Sequence, residues 1–177
     1  MMENRLELIG DGGHAAAIRD LISIRERLDT NFEASGKVIA VGNNRDRERE
    51  AKAHKGAEFP YLVHPSATFA SSALLGMGTV VMAGAIVQAR ACIGEHCIVN
   101  TAAVVEHDCV LGDFVHIAPG AILCGGVHVG KGSFIGAGAT VIQSIKIGSN
   151  VTVGAGATVV NDIPDGVTVT GTPARSR

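Results

Sequence analysis

From Val63 to Val159 every sixth residue is a bulky hydrophobe. The series opens with Val63, Phe69, Leu75 and Val81 and closes with Ile147, Val153 and Val159, without a missed step. Four residues after each stands a second apolar or small residue, as at Ala67, Ala73, Thr79, Cys97, Cys109 and Ser133, out to Ile163. A period of six is neither helical nor a plain alternating strand. It is the rhythm of a parallel β-helix, in which each hexad is a short strand and a turn. One hexad buries nothing alone, so coils must stack to make a core. The phase sets the large side chain inside at each strand. The position four later stays small because the same interior is narrow.

Composition agrees with stacked coils. Aromatic residues make up 3 % of the chain and Trp is absent, so the core is aliphatic and finely divided. At 177 residues the chain holds one large domain or two small ones. A net charge of −2 argues against a nucleic-acid partner. Most Lys, Arg, Asp and Glu precede Val63. Cys92, Cys97, Cys109 and Cys124 contain no CxxC pair, and no secretory leader opens the sequence, so free thiols in a reducing cytoplasm are expected. Cys97 and Cys109 fall in the small interior phase and should be buried. Ala67 to Ala89 carries no charge, but its Gly, Ser and Thr content and intact phase speak against a membrane span.

The residues before the repeat read as α/β. Leu6–Ile9 predicts a short strand, Gly10-Asp11-Gly12-Gly13-His14 a glycine-rich turn, and Ala15 to Leu28 a helix with Ala17, Ile18, Leu21, Ile22 and Leu28 at helical spacing. Strand, glycine-rich turn and helix open a nucleotide-binding unit, where glycines admit a phosphate and the helix N-terminus favours its charge. Lys37 to Val41 predicts a second strand ending in Gly42-Asn43-Asn44. Asn44 is placed to cap a helix from Arg45 to Lys55, closed by Gly56. The alternating charges from Arg45 to Glu50 read as a solvated helix face.

Four stretches carry a resemblance: Gly10-Asp11-Gly12-Gly13-His14, Ala40-Val41-Gly42-Asn43-Asn44, Val63-His64-Pro65-Ser66-Ala67, and Asn100 to Gly126. Together they resemble the hexapeptide-repeat sugar acetyltransferases related to sialic acid O-acetyltransferase and to the bacillosamine and perosamine N-acetyltransferases. The resemblance implies a left-handed parallel β-helix with three hexads per coil over residues 63–177. It also implies a small Rossmann-like domain over residues 1–62, an acetyl-CoA co-substrate, and a homotrimer with sites between chains. One feature departs from the family. Only Asp29 to Gly36 separates the first helix from the Gly-Asn-Asn strand, and the usual strand ending in paired acidic residues is missing. That shortening weighs against nucleotide binding by the N-terminal domain.

Three hexads per coil place Ala89 and Gly125 one coil below and above His107, each about 4.8 Å away. An outward histidine between two residues with almost no side chain leaves open space beside a titratable ring. Asp108 follows directly and can orient it. The resemblance makes His107 the general base, with Asp108 in the family's acidic position. It gives Gly125 the acetyl carbonyl; His116, Ala137 and Ala155 the coenzyme; and Asn100 the acceptor. Gly12, Gly13, His14 and Gly42 fall to a UDP- or GDP-linked sugar. Gly171-Thr172-Pro173-Ala174-Arg175 is similar to a C-terminal motif near the coenzyme and equally serves as a cap. His116 lies half a coil from His107, so the two are expected to meet only across a subunit boundary.

The predicted activity is transfer of acetyl from acetyl-CoA to a sugar amino group. O-acetylation of sialic acid or another sugar is the alternative within the family. Two other classes share the prism. A γ-carbonic-anhydrase-like zinc lyase needs converging histidines, but the His-x4-His pair is lacking and no metal site is expected. A non-catalytic scaffold has no use for His107, Asp108 and Gly125 together.

Overall fold

A computed structural model describes residues 6–28 and 35–176. The short connection from Asp29 lies mostly outside them. Residues 62–170 form a parallel β-helix of about six turns, built from two-residue strands and tight turns. Three parallel sheets make its faces. The register advances by eighteen: Val104 pairs with Ile86 and Ile122, His116 with Ile98 and Phe134, and Val110 with Cys92 and His128. Three hexads therefore close each coil.

The hexad residues point inward. Val81, Val87, Val99, Val105, Ile117, Leu123, Ile135, Val141 and Val153 are wholly buried in one continuous core. Each such side chain contributes roughly 1.5–3 kcal/mol by burial. The second series fills the corners. Cys97 and Cys109 are buried free thiols whose burial pushes them up to about 12 and about 11. Ser133 is polar but satisfied: its hydroxyl donates to the Gly148 carbonyl at 2.7 Å and accepts from the Val151 N–H at 3.0 Å. From Leu75 to Val153 each inward residue is followed, three positions on, by one at positive φ. Half of these are Gly, and Arg90, His96, Ala102, Asp108, Phe114, Ser144 and Asn150 take the same conformation.

The period slips at the last turn. Thr152 pairs with Thr168 and Ile147 bridges Ile163, both sixteen residues on. Ile163 thus takes a large inward position, not the small corner position the hexad count assigned it. The Gly171–Arg175 stretch then folds back, so that Val169 and Thr170 pair antiparallel with Ser176 and Arg175 and cap the prism.

The N-terminal residues form β1 (Leu6–Ile9), α1 (Gly13–Leu28), β2 (Gly36–Ile39) and α2 (Asn44–Ala53). β1 and β2 are parallel, with Leu6 opposite Gly36. α1 buries Ala15, Ile18 and Leu21, while Ala17 and Leu28 face out. Its packed stripe therefore runs through Ala15 rather than Ala17 and stops short of Leu28. That stripe, with Val38 and Ala40, packs on Leu62, Val80 and Met82 of one outer face of the β-helix. Asn43, not Asn44, caps α2: its side-chain oxygen accepts from the Arg45 and Asp46 N–H groups. Asn44 is thereby free to reach the β-helix, where its amide donates to the Gly132 and Ser133 carbonyls, both at 3.0 Å.

The charged run on α2 is not all solvated. Arg47 is 1 % exposed. Its guanidinium directs its N–H groups at neutral oxygens: the carbonyls of His96, Val41, Gly42 and Phe114, and the Asn44 side chain. Burial lowers it to about 10 without removing its charge at neutral pH. Glu48 adds an ion pair to Lys131 at 2.9 Å. Two charged residues of α2 therefore bolt the N-terminal unit to the coils.

Candidate active site

The predicted residues fall into separate places on one chain. His107, Asp108 and Gly125 share the corner that follows the strands Val104–Val105 and Ile122–Leu123. Ala137 and Ala155 stand at the corner following Phe134–Ile135 and Thr152–Val153. His14, Gly42, Asn100 and His116 gather on the face covered by the N-terminal unit.

The His107 corner is as the stacking predicts. Asp108 N–H bonds to Ala89 O, and Gly126 N–H to His107 O, which fixes the coils below and above. The ring lies so close to Gly125 that a Cβ there would stand 2.6 Å from His107 Cε1. Gly125 is thus required by the imidazole beside it. Among the described residues no acceptor meets the Gly125 N–H, nor those of Ala137 and Ala155. The Gly125 N–H stands beside the His107 ring, while Ala137 and Ala155 carry only a methyl group. His107 is largely exposed, and its Nδ1 lies 2.7 Å from Asp108 Oδ2. Asp108 is held in turn by Arg90, one coil below, whose Nε donates to Oδ1 at 2.6 Å and Nη2 to Oδ2 at 2.8 Å. The guanidinium, then the imidazole, hold the Asp108 carboxyl well below the usual range. An ionised carboxylate only accepts, so Nδ1 of His107 carries the proton and Nε2 presents a lone pair. Arg90 was not among the residues the sequence singled out; its place eighteen residues before Asp108 was the available signal.

The second place has a different chemistry. His116 is buried, with Nδ1 3.2 Å from the Gly42 carbonyl and Nε2 3.0 Å from Asn100 Nδ2. The carbonyl fixes the proton on Nδ1, and Nε2 accepts from the amide. Burial, then the nearby Arg47 cation, push His116 down to about 4, which keeps it neutral. Its ring is therefore committed within its own chain, and it does not touch His107. Asn100 holds this ring, and within one chain it does not share the His107 corner. His14 adjoins it, with ring centroids 6.4 Å apart. The His14 Nε2 is buried and meets no partner among the described residues. His14 too is pushed down to about 4, first by burial and then by Arg47.

Beside these rings opens a cleft of about 450 Å³, lined by Gly42, Asn43, Asn44, His116, Phe134 and Thr152 among others. It lies past the C-terminal end of β2, where parallel α/β units take their ligands. Gly12 and Gly13 open α1 with free space where a Cβ would stand. His96 is packed between Phe59 and Phe114. Among the described residues no three His, Cys, Asp or Glu side chains converge as metal ligands. No described helix is long and apolar enough to cross a membrane.

The family model for the bacterial transferase hexapeptide (six repeats) matches residues 108–143 and 126–161. The acetyltransferase domain of PglB from Neisseria gonorrhoeae FA1090 is 40 % identical, with a TM-score of 0.92 over 99 % of this chain and 100 % of that one. The same domain in complex with acetyl coenzyme A gives 41 % and 0.91 over 98 % and 99 %. PerB from Caulobacter crescentus, in complex with CoA and GDP-perosamine, is 34 % identical, with a TM-score of 0.88 over 99 % and 98 %. The UDP-N-acetylbacillosamine N-acetyltransferase of Bacillus subtilis (strain 168) is 44 % identical over a 109-residue alignment covering 43 % of this chain and 50 % of that protein. The chain thus spans about half the length of that curated relative.

Proposed function

The chain belongs to the bacterial hexapeptide-repeat transferases, and we propose that it transfers acetyl from acetyl-CoA to an amino group of a UDP- or GDP-linked sugar. The observation that carries this reading is the His107 corner, where an outward imidazole with a fixed tautomer lies against a residue without a side chain. Nε2 of His107 takes the proton from the amine as its nitrogen attacks the thioester carbonyl. The C–N bond forms, the carbonyl oxygen gains charge, and the C–S bond then breaks to release CoA. A positioned base contributes about 10²–10⁴ in rate. The Gly125 N–H is the donor for the developing oxyanion, a role worth roughly 10²–10³. Ala137 and Ala155 offer their N–H groups to the amide carbonyls of the pantetheine arm.

Residues 1–62 and 63–177 act as two domains of one machine. His107 and the cleft at Gly42 and His116 occupy different corners of one chain, so one chain does not close a site around both reactants. A homotrimer in the cytoplasm, with His107 of one chain facing the neighbour's cleft, supplies both halves. Gly12, Gly13, His14 and Gly42 then border the phosphates, and Asn100 sets the His116 ring that floors the cleft. Acetyl-CoA turnover is to be measured against UDP- and GDP-linked amino sugars and free sialic acid. Turnover confined to the nucleotide-linked amines is expected, and turnover of sialic acid alone would move the reaction to O-acetylation. A sedimentation measurement showing a fully active monomer would overturn the shared site.

A further inference from the structure

We infer that Arg90 is a positioning residue for acetyl transfer, fixing His107 through Asp108. The inference rests on His107 as the general base and goes beyond it by naming what holds that base in place.

Three contacts form one chain of charge-assisted bonds across two coils. Arg90 meets Asp108 with two N–H groups, at 2.6 and 2.8 Å, and Asp108 meets His107 at 2.7 Å. A fork of two parallel bonds fixes the plane of a carboxylate as a single ammonium cannot. That plane aims Oδ2 at Nδ1. The backbone supplies a second, independent observation. Arg90 and Asp108 both sit at the positive-φ turn position, at φ 60. A neighbouring column of turns fills that position with Gly84, Ala102, Gly120, Gly138 and Gly156. Left-handed backbone costs an L side chain energy, and an arginine gains nothing from it locally. Among the described residues this is the one place where stacked positive-φ positions carry opposite charges. His96, Ala102, Phe114, Ser144 and Asn150 take the same conformation, so the stacked opposite charges, and not the strain, mark this pair.

The pair is exposed, so it adds little to folding stability. Its consequence is for the ring. Arg90 keeps the acceptor oxygen of Asp108 aimed, which leaves His107 in the Nδ1–H form with Nε2 free. It also sets a positive charge near the imidazolium that forms when the base takes up a proton. This tempers how strongly Asp108 favours that cation, and so hastens the return of the proton after transfer.

The test compares R90A, R90K and H107A by long-range ¹H–¹⁵N NMR of the imidazole, assigned by its loss in H107A, and by steady-state kinetics. The kinetic probe is acetyl-CoA with GDP-perosamine and with a UDP-linked amino sugar. Wild type should show one neutral tautomer, with the proton on Nδ1. R90A should show a mixture of the two neutral tautomers. Its kcat should fall about tenfold with KM for acetyl-CoA within about twofold, short of the loss in H107A. The acidic limb of its rate profile should move to higher pH, because a cation near the ring is gone. R90K keeps the charge but not the fork, so it should restore the limb and only part of kcat. An unchanged tautomer and an unmoved acidic limb in R90A would overturn the inference. The NMR needs no substrate. If H107A keeps full transfer while the ring responds to R90A, the base assignment fails and the positioning contact stands.

Discussion

His107 and His116 stand nine residues apart on the same spool, yet their surroundings give them opposite characters. His107 is exposed, bonded to an ionised carboxylate, with Nε2 facing open space over Gly125. His116 is buried beside a guanidinium, its two nitrogens taken by the Gly42 carbonyl and the Asn100 amide. One stands open to solvent beside a carboxylate; the other is kept neutral near pH 7 by its surroundings. Neighbours decide the role: an anion aims the first ring, while an uncompensated cation and burial hold the second neutral.

The sharpest test of that contrast is H107A. Its kcat should fall by about 10²–10⁴ while thermal melting stays near wild type, because the side chain is exposed and packs on nothing but Gly125. A folded variant with full turnover would erase the distinction. Next is R47M, which removes the cation from the His116 side. It leaves the carbonyls of His96, Val41 and Phe114 without their donor and should cost about 3 kcal/mol in chemical denaturation. The loss should centre on docking of the N-terminal unit, read as faster proteolysis within residues 6–53 while the coils stay protected.

The third test uses pH. His14 and His116 are held near 4 against an ordinary 6.5. The unfolded chain therefore binds more protons between these values, so stability is full above about pH 6.5 and falls as pH drops toward 4. The two together are worth on the order of 2–5 kcal/mol, visible as a falling Tm across that window. H107A should fall along the same curve, whereas R47M should flatten it. The smallest effect expected is from G125A. The added methyl pushes the ring away at modest cost to stability, because an exposed side chain can swing, and kcat should fall about tenfold. An active G125A would show that the ring need not lie where it does.

Much of the His107 side was legible in the residues. The six-residue phase says which way each side chain points, and three hexads per coil bring Ala89, His107 and Gly125 into one column. The Arg90–Asp108 contact obeys the same arithmetic but escapes a reading for charge partners along the chain, because the two stand one coil apart. The period gave no warning of the sixteen-residue last turn, where Ile163 moves to an inward position. The His116 side was opaque. The run from Arg45 to Glu50 looks evenly solvated, and nothing local marks Arg47 as the residue that enters the interface.

The repeat alone determined that the chain forms a spool and which side chains face inside or outside, because a strict period turns sequence position into spatial position, while the three-hexad coil implied by the resemblance set the column in which His107 stands. Only the tertiary structure decided which polar groups lose water. That depended on how α1 and α2 dock against coils 49 to 89 residues away, where Arg47 and Asn44 find carbonyls that no sequence pattern places opposite them.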